Sequence, residues 1–117
     1  MALRWLFAYA LTQTIEVGVY YRAFGEERSR AERLAIAFAA SGITHPIVTY
    51  VIPELVYTYV SEDFWVMVAF AEPFAVLAEA AFLACFGLRW WALAWAMAAN
   101  GSSFLAGLFI YYYTPPT

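Results

Sequence analysis

Apolar residues along this chain fall into four runs, at about residues 3–21, 34–52, 64–88 and 90–113, with short polar breaks between them. At 1.5 Å rise per residue, about 20 residues cross the ~30 Å hydrocarbon core of a bilayer, so each run predicts one transmembrane helix. None of the runs alternates apolar and polar with period two, which argues against the strands of a membrane β-barrel. The expected fold is all-α: a polytopic bundle of four transmembrane helices, forming a single domain over residues 1–117. Ala8-Tyr9-Ala10 imitates a signal-cleavage site, but the apolar stretch ahead of it is too short, so the first run is expected to stay as a span.

The breaks carry the orientation signal. Loop one, 22–33, reads RAFGEERSRAER; loop two, 53–63, has Glu54, Glu62 and Asp63 and no cation; loop three, 87–89, is a tight helical hairpin. Loops one and three share a side and hold Arg22, Arg28, Arg30, Arg33 and Arg89, against Arg4 alone on the other. The positive-inside rule then puts both loops in the cytoplasm and both termini outside the inner (plasma) membrane. Trp5, Trp65 and Tyr111-Tyr112-Tyr113 would form one aromatic belt and Trp90 with Trp91 the other, with Pro115 and Pro116 ending the last helix.

Within the apolar runs, the polar residues fall into stripes. Gln13, Glu16 and Tyr20 share one face of the first span, and Ser41 and His45, with Thr44 beside them, mark the second. Glu72 and Glu79 lie seven residues apart on nearly one face of the third, and Asn100, Ser103 and Gly107 form the stripe of the fourth. In lipid such stripes must face inward. Counting from the cytoplasmic arginines, Glu16 lies about 9 Å deep, Glu79 about 15 Å, Asn100 about 16–17 Å and His45 about 18 Å. Glu72 is farther out, at about 25 Å. A carboxylate in hydrocarbon costs about 2.5–3.5 kcal/mol on insertion scales, so these positions carry the candidate chemistry.

Carboxylates crowded in low dielectric cannot all ionise, and the group must share protons or take a counter-ion. Glu16, His45, Glu79, Glu72 and Asn100 are therefore the expected proton- or cation-binding residues, supported by Gln13, Ser41, Thr44 and Ser103. Glu16, His45 and Glu79 are also the set that could hold a divalent metal ion as cofactor. With one histidine and no Glu-x-x-His pair, that reading has little motif support.

Composition agrees with the pattern. Hydrophobic residues are 65% and charged residues 13% of the chain, and mean hydropathy is +0.67. Net charge of -3 argues against a nucleic-acid partner. The single cysteine, Cys85, has no internal disulfide partner and is expected to serve packing.

Glu16, midway along the first of four short spans, resembles the carboxylate of the small multidrug resistance transporters. That resemblance covers about one span and implies a proton- and substrate-binding role for Glu16. The fuller pattern of Glu16, Thr44-His45-Pro46, Glu72 with Glu79, and Asn100-x-x-Ser103 resembles a loose group of small uncharacterised bacterial four-span proteins, which implies the fold and no particular activity.

The expected function is proton- or cation-coupled transport or conduction. The alternatives are a non-catalytic small subunit of a larger membrane complex and, ranked last, a metal-dependent membrane enzyme. The lipid bilayer is the first partner. A homo-oligomer or a membrane complex is the second, with Ala35/Ala39, Ala94/Ala98 and Ser103/Gly107 as candidate helix-contact faces.

Overall fold

The computed structural model describes residues 2–113, with side chains from Leu6 onward. The belt residue Trp5, the outer Arg4 and the terminating Pro115 and Pro116 lie outside the described side chains. All regular structure among the described residues is helical: α1 (Ala2–Ala23), α2 (Arg30–Pro46), α3 (Ile52–Tyr59), α4 (Phe64–Leu83) and α5 (Trp91–Tyr113). A π-helical turn, Ile47–Val51, joins α2 to α3, and another, Ala84–Leu88, extends α4. α1 packs on α2 and α5, and α4 packs on α5 and α2, so the helices form a ring with α1 opposite α4. The body measures 45 × 30 × 20 Å, long enough for a bilayer with its headgroups.

Three stretches are long and apolar enough to cross a membrane: Arg30–Tyr59, Phe64–Leu88 and Trp91–Tyr113. α1 has 22 residues, but Thr12, Gln13, Thr14 and Glu16 make it more polar, and it is not among the three. The radial pattern is the reverse of a water-soluble bundle. Leu6, Phe7, Phe38, Ile43, Phe70, Leu77, Met97, Leu105 and Phe109 face outward, while Gln13, Glu16, Ser41, Thr44, Glu79, Asn100 and Ser103 are buried. That arrangement suits a hydrocarbon surround, where polar groups must find partners inside the protein.

The second helical stretch corrects the expected boundaries. It starts four residues before position 34 because Ser29 caps it, its hydroxyl accepting from Glu32 N at 3.1 Å in a Ser-x-x-Glu start. It also continues past position 52 to Tyr59, where a loop of 53–63 was expected. Pro46 and Pro53 each lack a backbone donor, and an α-helix would leave carbonyls unmatched at both. The intervening turn widens instead, with Ile52 N–H bonding Ile47 O, five residues back. Glu54 therefore sits exposed in the first turn of α3 rather than in a loop.

The other connections follow local chemistry. Asp63 caps α4, its Oδ1 accepting from Trp65 N at 2.7 Å. The α4–α5 hairpin turns at Gly87, whose φ of 104° costs glycine little, and at Arg89, whose φ of 53° is strained for a side chain. Arginines close the same end of the bundle. Arg28 Nη2 donates to Phe86 O at 2.7 Å, and Arg33 donates to Tyr21 O through Nη2 at 2.8 Å and Nε at 3.2 Å. Both carbonyls belong to helix C-terminal turns, where a cation also meets the negative end of the dipole.

Candidate functional site

Four helices each contribute polar residues to one buried layer. Glu16 is 3% exposed and Glu79 0%. Glu16 Oε2 accepts from Ser41 Oγ at 2.5 Å and Oε1 from Ser103 Oγ at 2.6 Å. Glu79 Oε2 accepts from Thr44 Oγ1 at 2.8 Å and Oε1 from the Tyr20 hydroxyl at 2.7 Å. Asn100 Nδ2 donates to Ala96 O at 2.9 Å and to the Tyr20 hydroxyl at 3.3 Å. Every carboxyl oxygen thus has a hydroxyl partner from another helix. Among the described residues neither carboxyl has an arginine partner; Arg28 pairs with Glu32, at 3.6 Å, away from the layer.

The helical register produces this convergence. Ser41 and Thr44 are three residues apart on α2, as are Asn100 and Ser103 on α5, so each pair presents one face to the ring's interior. Thr44 Oγ1 also reaches Ser41 O at 3.1 Å, and Ser103 Oγ reaches Asn100 O at 3.1 Å. A hydroxyl has one proton and can also accept. When it donates to the backbone carbonyl, its oxygen is free to accept from a protonated carboxyl. When it donates to the carboxylate, the carbonyl gives up that contact. Each carboxyl can therefore gain or lose a proton without moving a heavy atom.

A cavity of about 610 Å³ runs from this layer to the opposite end of the bundle from the arginines. Its floor includes Glu16, Ser41, Asn100 and Ser103, its wall His45 and Glu72, and its far end Phe64, Phe104, Tyr111 and Tyr112. From Asn100 to Tyr111 is about 16 Å along α5. Glu79 and Tyr20 do not line it, so of the two layer carboxyls only Glu16 borders the cavity.

Of the residues expected at the site, Glu16, Glu79, Asn100, Ser41, Thr44 and Ser103 meet in the layer. Glu72 lies half-buried two turns out, on the cavity wall. His45 borders the same cavity, but its ring packs against Tyr9, with centroids 4.8 Å apart. Among the described residues no three His, Cys, Asp or Glu side chains form a group able to hold a metal ion, so Glu16, His45 and Glu79 are not brought together as ligands. Gln13 is buried beside α2, its Nε2 donating to Tyr9 OH at 2.9 Å, and among the described residues its Oε1 has no hydrogen-bond partner.

Two positions depart from the pattern expected of small residues. Gly107 lines the cavity, with nothing within 4 Å of where its Cβ would stand, so it meets no other helix within this chain. The close approach lies at Gly42, where a Cβ would stand 3.2 Å from Gln13 Nε2. Tyr20, on the Glu16 stripe, was not among the expected site residues; its place four residues after Glu16 was the available signal. The cavity's aromatic end was also not anticipated, because those residues read as interfacial belt. Cys85 is exposed rather than packed.

No protein-family model matches the chain, and comparisons with curated proteins and with solved structures found no match.

Proposed function

We propose that this is a four-span protein of the plasma (inner) membrane, with α1 as the fourth span and both termini outside, that binds and releases protons at the Glu16–Glu79 pair in support of proton- or cation-coupled transport. The observation that carries this reading is the pair itself: two buried carboxyls, each held by two hydroxyls, with no arginine counter-charge among the described residues. Two carboxylates so placed need a proton or an entering cation to balance their charge. The hydroxyl partners accept either state, and the cavity offers Glu16 a route to one end. The likeness of Glu16 to the carboxylate of small multidrug resistance transporters fits the same reading.

The test is proton uptake by the purified protein in liposomes after a pH jump, read with an entrapped pH dye. Wild type should take up protons. Glu16→Gln and Glu79→Gln, which keep shape and hydrogen bonding, should reduce uptake while retaining helical content. Uptake unchanged in the double variant would refute the proposal.

A small-subunit role in a homo-oligomer or a larger complex is the second reading. The observation favouring it is that Ala35, Ala94 and Ala98 lie exposed on the outer faces of α2 and α5, where small residues allow close helix approach. A metal-dependent enzyme is the least favoured, since His45 is turned to Tyr9.

A further inference from the structure

One helical turn beyond the carboxyl layer, toward the arginine end, the interior changes character. Four residues from Glu16 comes Tyr20; four from Ser41 and Thr44 come Ala37 and Ala40; four from Glu79 comes Leu83; four from Asn100 comes Ala96. All are 0–1% exposed. A turn farther on, Phe24, Ile36 and Ala92 are buried too. These residues belong to one continuous apolar cluster, with Trp95 packed against it, and among the described residues Tyr20 is its only fully buried member with a polar side-chain atom. Tyr20 is the largest fully buried side chain among the described residues, and it shares this cluster with Ala37 and Ala40 on α2, Ala80 on α4 and Ala96 on α5.

The carboxyl pair therefore has a cavity on one side and a packed layer on the other. At 1.5 Å per residue, Tyr20 to Phe24 alone spans about 6 Å of packed, apolar interior. A proton or cation crossing that layer would have to displace the Tyr20 ring, the largest fully buried group packed there. The same residue is tied to the site, because its hydroxyl donates to Glu79 Oε1 at 2.7 Å and accepts from Asn100 Nδ2 at 3.3 Å. Leu83 and Phe24 fill the layer as well, but neither has an atom that can sense the carboxyl.

We infer that Tyr20 is the seal of a one-sided site: its ring stops the arginine end, and its hydroxyl latches that stopper to Glu79. Glu16 is then the carboxyl that exchanges with the cavity, and Glu79 the sealed one behind it. One-sided access has a purpose only if the pair handles protons or cations, so the proposal rests on that reading.

Thiol accessibility tests it without a known substrate. In a Cys85→Ser background, single cysteines are placed at Ala75, a buried residue on the cavity wall, and at Ala96, in the sealed layer. An impermeant thiol reagent is applied from each membrane face, with Ser29→Cys marking the arginine side. With Tyr20 present, Ala75→Cys should react only from the face opposite Ser29→Cys, and Ala96→Cys from neither. Tyr20→Ala should open Ala96→Cys to the arginine side and make Ala75→Cys reactive from both. Tyr20→Phe keeps the ring and loses the latch, and should show slower but measurable loss of one-sidedness. Reaction of Ala75→Cys from both faces with Tyr20 in place would overturn the seal whether or not Tyr20→Ala folds. Tyr20→Phe indistinguishable from wild type would overturn the latch. A one-sided pattern together with unchanged proton uptake in the Glu→Gln variants would refute the proton reading and leave the seal standing.

Discussion

The Tyr20–Glu79 contact can be weighed by a double-mutant cycle, because the surroundings fix what each change leaves behind. Glu79→Leu removes the acceptor of the Tyr20 hydroxyl proton. Thr44 is not stranded, since its hydroxyl still reaches Ser41 O at 3.1 Å. One orphaned donor in a buried position costs about 1–3 kcal/mol. Tyr20→Phe removes the donor instead, costing Glu79 Oε1 its hydroxyl partner while Asn100 Nδ2 keeps Ala96 O at 2.9 Å. Its expected cost is again about 1–3 kcal/mol. Changing both partners removes both orphans, and a pair replaced by apolar groups of similar shape is nearly neutral. The double variant should therefore cost less than the sum of the singles, by about 1 kcal/mol or more. The assay is reversible unfolding from detergent micelles into sodium dodecyl sulfate, followed by circular dichroism. Single costs that add to within about 0.5 kcal/mol would show that the 2.7 Å contact contributes nothing, and the reasoning would fail.

Two further outcomes are expected. Gly42→Leu should destabilise the bundle, because its Cβ would press on Gln13 across the α1–α2 contact, whereas Gly107→Leu should project into the cavity and leave stability close to wild type; thermal aggregation in detergent distinguishes them, and equal losses would refute the assignment. In a Cys85→Ser background, cysteines at Ser29 and Thr117 should label from opposite faces of intact cells and inverted vesicles, Ser29→Cys from the cytoplasmic one. Labelling of Ser29→Cys from outside would invert the proposed orientation.

The hydrophobic pattern by itself determined that the chain is helical and located the three stretches long and apolar enough to cross a membrane, whereas the first run is too polar to join them. It also marked Glu16, Glu79, Asn100, Ser41, Thr44 and Ser103, together with Gln13, His45 and Glu72, since helical periodicity gathers the polar residues of each run into a stripe that an apolar surround would turn inward. Boundaries at Pro46 and Pro53 were not legible, because a proline announces a lost hydrogen bond without saying whether the helix ends or widens. Tertiary structure alone decided which partner each polar atom takes. His45 turned to Tyr9 and Glu79 to Tyr20 and Thr44, a choice set by helix rotation and packing across the ring rather than by spacing along one helix. It also decided that Gly42 and not Gly107 is the close contact. A glycine's value there depends on what stands opposite it, and that neighbour comes from another helix.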